Sequence, residues 1–222
     1  MFETRTHLIA FLLFSVIPIA IIAGPSISLS VILLINILFF YSIIKNKEAH
    51  LCYNKTVKLL FLFYLYLIFN SLISLDPYMG VSRNLGFLRF IIFFLAINYF
   101  FYQYRNFNKF LYIWTIILIL FVVDVYLEAI SGKNILGYNS ELSERVVSFF
   151  KDEQIAGSFI GGFIFLLVGF LHNFAKPKSK YFKIAVVLFS VFFLVAIIMT
   201  GERSNSIKAL LGFLFFYFFY KE

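Results

Sequence analysis

Residues 8–44 read LIAFLLFSVIPIAIIAGPSISLSVILLINILFFYSII and contain no charged side chain. A helix needs about 20 mostly apolar residues to cross the hydrocarbon core of a bilayer. The Gly24-Pro25 pair divides the stretch into two segments of this kind, because proline cannot continue helical hydrogen bonding and glycine relaxes the backbone. The stretch therefore predicts two consecutive membrane-spanning helices joined by a tight turn.

The rest of the chain repeats this pattern. Of its 222 residues, 62% are hydrophobic, 22% aromatic and only 14% charged, whereas soluble domains contain about 25% charged residues. The composition therefore predicts an all-α, polytopic transmembrane helix bundle of about eight helices, with residues 1–222 forming a single transmembrane domain. The candidate helices are the apolar runs 8–23, 27–44, 57–74, 85–102, 110–130, 155–174, 184–200 and 207–220.

The formal charge of +8 is a feature of nucleic-acid binders, in which Lys and Arg neutralise phosphates. Here the basic residues occupy short segments between apolar runs, as in the cytoplasmic loops of membrane proteins. We therefore expect no nucleic-acid partner. The distribution of Lys and Arg predicts cytoplasmic N- and C-termini and places the longest connection, residues 131–154, on the opposite side.

Metal and redox chemistry have little support in the sequence. Cys52 is the single cysteine, so the chain alone has neither an intramolecular disulfide nor a thiolate metal site. Walker A, Gly-x-Ser-x-Gly and His-Glu-x-x-His motifs are also missing. We expect no cofactor and no metal.

Three of the ionisable residues inside predicted spans are candidates for a functional site. Arg89 lies about one turn inside the run 85–102, where it either has a functional partner or extends its guanidinium to the headgroups. Asp124 and Glu128 share one helix face by their i, i+4 spacing. Paired carboxylates can perform acid and base chemistry or bind a cation, but the favoured interpretation is that one of them forms an ion pair with Arg89.

Two polar segments flank the later runs. Residues 145–158 read RVVSFFKDEQIAGS, in which Asp152 and Glu153 suit a helix N-terminus and Gly157-x-x-x-Gly161 permits close helix approach. Residues 200–205 read TGERSN. The second segment is either an ordinary solvated turn or an anion site, because Arg offers a forked donor and a helix start offers free N–H groups.

In their order along the chain, these segments resemble the O-antigen ligase and polymerase family of bacterial inner membranes. The resemblance covers about residues 74–210. It includes the segments SLDPYMGVSRNLGFLRF (74–90), DVYLEAISGKNILGY (124–138), the segment 145–158 and the Thr-Gly-x-Arg turn at 200–203.

The resemblance implies a metal-independent, inverting glycosyltransferase of lipopolysaccharide or surface-polysaccharide biosynthesis. Its donor would be an undecaprenyl-pyrophosphate-linked glycan, and its acceptor a lipid A core sugar or another lipid-linked glycan. Arg145 and Arg203 would bind the donor pyrophosphate at the periplasmic face, with Arg89 assisting and Asp124 and Glu128 as supporting acids.

Family members continue into a large periplasmic loop that in ligases carries a catalytic histidine. In this chain, His7, His50 and His172 all fall on the predicted cytoplasmic side. We therefore expect an N-terminal portion, which is a fragment, a truncated reading frame or one half of a split gene whose C-terminal half is encoded separately. Two alternatives stay open. One is a transporter that uses Arg89, Asp124 and Glu128 along a path, and the other is a noncatalytic remnant.

Overall fold

The computed structural model describes residues 5–47, 55–103, 107–138, 145–150, 153–174 and 180–219. Among the residues discussed above, His50, Cys52 and Asp152 lie outside these ranges. The described residues form eight α-helices and contain no strand, which confirms the all-α prediction. The helices are α1 (Arg5–Ala23), α2 (Pro25–Asn46), α3 (Lys55–Leu72), α4 (Pro77–Gln103), α5 (Phe110–Ser131), α6 (Ala156–Phe174), α7 (Lys180–Met199) and α8 (Arg203–Phe219).

The predicted turn between the first two helices is confirmed. Gly24 adopts a φ of 127°, a value that favours glycine because a side chain is strained there. Its N–H donates to the Ala20 carbonyl oxygen at 3.2 Å, and Pro25 begins α2 at the first helical position. Proline suits this position because its missing N–H has no intrahelical acceptor there.

Helix α4 begins eight residues before the predicted start at residue 85. Asp76 caps it by accepting the Met79 N–H at 3.1 Å, and Pro77 is its first residue. Arg89 therefore lies about 18 Å along the helix axis from the start, at a rise of about 1.5 Å per residue. The helix begins before the apolar run because it continues through the polar residues Ser82, Arg83 and Asn84, and the depth of Arg89 in the membrane stays a prediction.

Within the described ranges, the five helices α1 to α5 are long and apolar enough to cross a membrane, and α6 and α7 contain shorter apolar stretches. Large apolar side chains on these helices point outward, including Ile37 at 64% exposure and Leu120 at 61%. Such helices are apolar around their circumference, as expected where lipid replaces water. The chain is a membrane protein by these criteria.

Several polar side chains within the apolar helices bond to their own helix backbone. The hydroxyls of Ser15, Ser42 and Thr115 donate to carbonyl oxygens four residues earlier, at 2.7–2.8 Å. In an apolar surrounding an unsatisfied hydroxyl is costly. These bonds explain how the spans tolerate their hydroxyl side chains.

The chain divides into two compact units, Met1–Phe110 and Leu111–Glu222. In the first, α1 packs on α2, and α4 packs on both α2 and α3. The amide of Asn84 on α4 donates to the Leu67 carbonyl oxygen of α3 at 3.1 Å. The ring of Phe14 on α1 packs against Phe93 and Phe100 of α4, with centroid distances of 5.8 and 6.0 Å.

The second unit packs α6, α7 and α8 against one another. Aromatic residues join α5 to this group: the Tyr126 hydroxyl donates to the Phe192 carbonyl oxygen of α7 at 2.8 Å, and Trp114 meets Phe163 of α6 at 5.0 Å between centroids. This unit contains four of the five residues predicted to form a functional site.

Candidate functional site

The two carboxylates of α5 bind the segment that follows the helix. Asp124 is fully buried, and its two oxygens accept the Ile135 N–H at 2.7 Å and the Ser148 hydroxyl at 2.5 Å. Glu128 is 5% exposed and accepts the N–H groups of Val147 and Ser148 at 3.1 and 2.5 Å. All four carboxylate oxygens therefore hold loop groups.

Ser148 is the centre of this arrangement. Its N–H and hydroxyl donate to the two carboxylates, and its carbonyl oxygen accepts the side-chain amide of Asn134 at 3.0 Å. Its backbone has a φ of 53°, in the left-handed region that non-glycine residues adopt only where surrounding contacts offset the cost. Three hydrogen bonds supply those contacts.

Asn134 folds the first part of the connection. Its side-chain oxygen accepts the N–H groups of Leu136 and Tyr138 at 3.0 and 2.8 Å, which is an Asx-type turn. The side chain is 5% exposed, and its amide holds Ser148. The described part of the connection is thus tied to α5 by buried hydrogen bonds.

We name residues 145–150 the arginine segment. Apolar packing fixes its end, because Phe150 lies 5.7 Å from Phe121 of α5 and 5.4 Å from Phe159 of α6 between ring centroids. At its beginning, exposed Arg145 donates through Nη1 to Gln154 Oε1 at 2.9 Å. Arg145 is therefore the exposed first residue of a segment in which Val147, Ser148 and Phe150 are buried.

The side chain of Arg145 lies along the turn between α7 and α8. Gly201 there has a φ of 74°, and a Cβ atom at Gly201 would stand 3.2 Å from Arg145 Cγ. Glycine serves this turn because it accepts the positive φ and leaves room for the arginine stem.

Glu202 links the beginning of α6 to the beginning of α8. Its carboxylate accepts the Gly157 N–H and the Ser158 hydroxyl, both at 2.7 Å, and the side-chain amide of Asn205. A carboxylate at a helix N-terminus is favourable because unpaired N–H groups and the helix dipole face it. Among the described residues, Glu202, from a distant part of the sequence, is therefore an acid that binds the α6 start.

The glycine pair of α6 was predicted to permit close helix approach, and the structure gives its members different surroundings. A Cβ atom at Gly157 would stand 2.5 Å from the Thr200 hydroxyl oxygen, whereas a Cβ atom at Gly161 would meet nothing within 4 Å. The close approach is at Gly157 alone, and it brings the α7–α8 turn to the α6 start.

Arg145 and Arg203 line one cleft of about 560 Å³. The other lining residues are polar: Gln154, Ser158, Glu202, Ser204 and Asn205. Arg203 is exposed and is the first residue of α8, in which the first backbone bond runs from the Ser206 N–H to the Glu202 carbonyl oxygen at 3.0 Å. Two guanidinium groups, one engaged carboxylate and a helix start thus surround the same space.

Arg89 belongs to the first unit, and its predicted ion pair with Asp124 stays a prediction. Its carbonyl oxygen accepts the Asn36 side-chain amide at 2.9 Å, and its guanidinium carbon lies 5.0 Å from the Phe90 ring centre. Arg89 Nε and Asn36 Oδ1 are buried and have no hydrogen-bond partner among the described residues.

Sequence patterns had not identified Glu202, Ser148 or Asn134 as organising residues. Glu202 precedes a helix and stands beside Arg203, and that position is a signal for a capping acid. For Ser148 no local signal exists, because its partners lie 20 and 24 residues away. Within the described ranges, no group of three or more His, Cys, Asp or Glu side chains is placed to hold a metal ion.

Comparison of the chain with protein-family models, with curated proteins and with solved structures gives no match. The arguments for a function therefore rest on the residues and their geometry.

Proposed function

We propose that this protein is an O-antigen ligase-like or polymerase-like component of surface-polysaccharide biosynthesis in a bacterial inner membrane. In this proposal it binds an undecaprenyl-pyrophosphate-linked glycan at its periplasmic face. The acceptor of glycosyl transfer would be a lipid A core sugar or a second lipid-linked glycan. The resemblance of residues 74–210 motivates the family, and the cleft supports the role of the arginines.

The convergence of Arg145 and Arg203 on one polar cleft is the observation that carries this proposal. Glu202 lines the same cleft, where its carboxylate accepts an N–H, a hydroxyl and an amide. Arg guanidinium groups match phosphate oxygens with paired donors. A diphosphate with two adjacent phosphoryl groups fits two arginines from different segments.

The chemistry assigned to the cleft follows from the leaving group. In an inverting transfer, an acceptor hydroxyl attacks the anomeric carbon and gives up its proton to water. The bond to the pyrophosphate oxygen breaks, and the electron pair of that bond remains on the pyrophosphate. Negative charge therefore grows where Arg145 and Arg203 stand. Fixed cations that face developing charge lower the barrier because they need no reorganisation during the reaction.

The test is binding of undecaprenyl pyrophosphate by the chain in lipid nanodiscs. We expect Arg203→Lys to weaken binding by about tenfold although the charge is kept, because the planar fork is lost. Arg83→Lys is the matched control, since Arg83 is an exposed arginine of α4 outside the cleft. Equal affinities of the unmodified chain and Arg203→Lys would contradict the donor site.

A further inference from the structure

Arg145 has no regular secondary structure of its own to fix it in the cleft. It precedes the 3-10 turn Ser148–Phe150, and its stem lies against Gly201. The backbone of the arginine segment sets the direction from which this side chain enters the cleft, where its Nη1 donates to Gln154 Oε1. That backbone is bonded at Val147 and Ser148, two and three residues further along.

We propose that Asp124 and Glu128 are positioning residues that act through Ser148 to hold Arg145 in the cleft. This role rests on the proposed donor site. It concerns two acids that do not line the cleft themselves. The two side chains project from successive turns of α5, so their four oxygens form a rigid acceptor set. Each of these four oxygens accepts one hydrogen from the connection that follows α5.

The geometry shows why two acids are used. Glu128 binds the N–H groups of Val147 and Ser148, which fixes the backbone direction, whereas Asp124 binds the Ser148 hydroxyl and also the Ile135 N–H. Charge-assisted hydrogen bonds in a buried surrounding are stronger than neutral ones. Together they hold Ser148 in its left-handed conformation and thereby orient the residues before it.

The test is a double-mutant cycle read by the dissociation constant of inorganic pyrophosphate, measured on the full chain in nanodiscs. The variants are Glu128→Gln, Arg145→Ala and the combination of both. Glu153→Gln is the charge-matched control, since Glu153 is an exposed acid on the same connection.

We expect Arg145→Ala to weaken pyrophosphate binding by about tenfold, as loss of a charge-assisted contact does. Glu128→Gln should cause a comparable loss, and the double variant should bind about as well as Arg145→Ala alone, because the acid acts only through the arginine. Glu153→Gln should bind like the unmodified chain.

A merely structural role predicts a different result. General disturbance of the unit would also weaken the contribution of Arg203. Glu128→Gln would then weaken pyrophosphate binding by the same factor in the unmodified chain and in the Arg145→Ala chain. That additivity, or unchanged binding by Glu128→Gln, would overturn the positioning role alone. If Glu128→Gln does not fold, Asp124→Asn, which alters the Ser148 hydroxyl bond, takes its place in the same cycle.

Failure of the donor site gives a separate result. If the unmodified chain does not bind pyrophosphate, the proposed function is overturned, and the positioning role falls with it. If the unmodified chain binds but Arg145→Ala binds equally well, Arg203 is retained as a ligand and the role of Asp124 and Glu128 is overturned.

Discussion

Single atoms decide how closely the start of α6 can approach the turn after α7. Gly157 has space for a hydrogen but not for a methyl group, because the Thr200 hydroxyl and the Glu202 carboxylate stand where a Cβ atom would go. Thr200 cannot easily move, since it is 1% exposed and its hydroxyl bonds to the Ile197 carbonyl oxygen at 2.7 Å. The absent side chain therefore allows Glu202 to reach α6.

We expect Gly157→Ala to lower the free energy of unfolding by roughly 1–3 kcal/mol, as overpacking of a close contact does. Gly161→Ala in the same helix is the matched control. Its new methyl group meets nothing within 4 Å, and alanine has the higher helix propensity, so it should stabilise by up to about 1 kcal/mol. Thermal unfolding in detergent compares the two, and a higher midpoint for Gly157→Ala than for Gly161→Ala would contradict this packing.

The turn glycine supports the cleft in a different way. Gly201→Ala places a Cβ atom at a positive φ and within 3.2 Å of Arg145 Cγ. The left-handed backbone alone costs about 1 kcal/mol for alanine. We therefore expect a lower thermal midpoint together with weaker pyrophosphate binding.

The matched control for the turn is Gly86→Ala in α4, whose Cβ atom meets nothing within 4 Å. It should raise the thermal midpoint slightly and leave pyrophosphate binding unchanged. If Gly201→Ala bound pyrophosphate as tightly as the unmodified chain, the turn would not determine the position of Arg145.

At this scale the sequence predicted part of the site. The i, i+4 spacing of Asp124 and Glu128 indicated a shared helix face, and both acids do act on one target. Their target is the backbone around Ser148. No residue pattern predicts this target, because almost every residue carries a backbone N–H group. Arg145 and Arg203 were predicted to converge through the resemblance, whereas the glycine that admits the arginine stem is visible only in the packing.

At the scale of elements, each apolar run correctly predicted a helix. In lipid and in the protein interior, a segment needs an apolar surface and must form its backbone hydrogen bonds internally. Helix starts were predicted less well. Helix α4 begins at Pro77 and α8 at Arg203, in both cases within residues too polar for a hydropathy pattern. The Asp76-Pro77 pair carried a usable signal, since an N-cap acid followed by proline is typical of a helix start.

Side-chain amides connect helices where the surroundings are apolar. Asn84 on α4 donates to the Leu67 carbonyl oxygen and to the Ser71 hydroxyl of α3. We expect Asn84→Ala to destabilise the first unit by about 0.6 kcal/mol and at most about 1.7, the range for such bonds in membrane proteins.

Asn98→Ala is the control for this helix pair, because the Asn98 amide bonds to the Phe94 carbonyl oxygen of its own helix at 2.8 Å and is exposed. The loss for Asn98→Ala should be smaller. Equal losses for the two variants, measured by thermal unfolding, would show that the α3–α4 bond contributes no more than a local one.

At the scale of the whole molecule, each compact unit joins its own helices, and the proposed donor site lies within the second unit. Arg89 lies in the first. The role of Arg89 in the same site stays a prediction. The Nε atom of Arg89 is buried and has no hydrogen-bond partner among the described residues.

The orientation of the chain in the membrane decides whether the cleft can meet a periplasmic donor. Lys and Arg collect on cytoplasmic loops because their translocation is disfavoured, whereas acids contribute little to this rule. Cys52 stands among Lys45, Lys47, Lys55 and Lys58, and Asn139 stands in the connection between α5 and α6 that leads to the arginine segment. Both Cys52 and Asn139 lie outside the described residues.

We expect Cys52 to react with a membrane-impermeant maleimide only in inside-out vesicles, because its loop should be cytoplasmic. A cysteine introduced by Asn139→Cys in a Cys52→Ser chain should react only in right-side-out vesicles. Permeabilised membranes, in which both positions should label, control for intrinsic reactivity. Reversed labelling would place Arg145 and Arg203 in the cytoplasm, where a periplasmic pyrophosphate-linked glycan cannot reach them, and the proposed donor site would then be untenable even if the cleft binds pyrophosphate in nanodiscs.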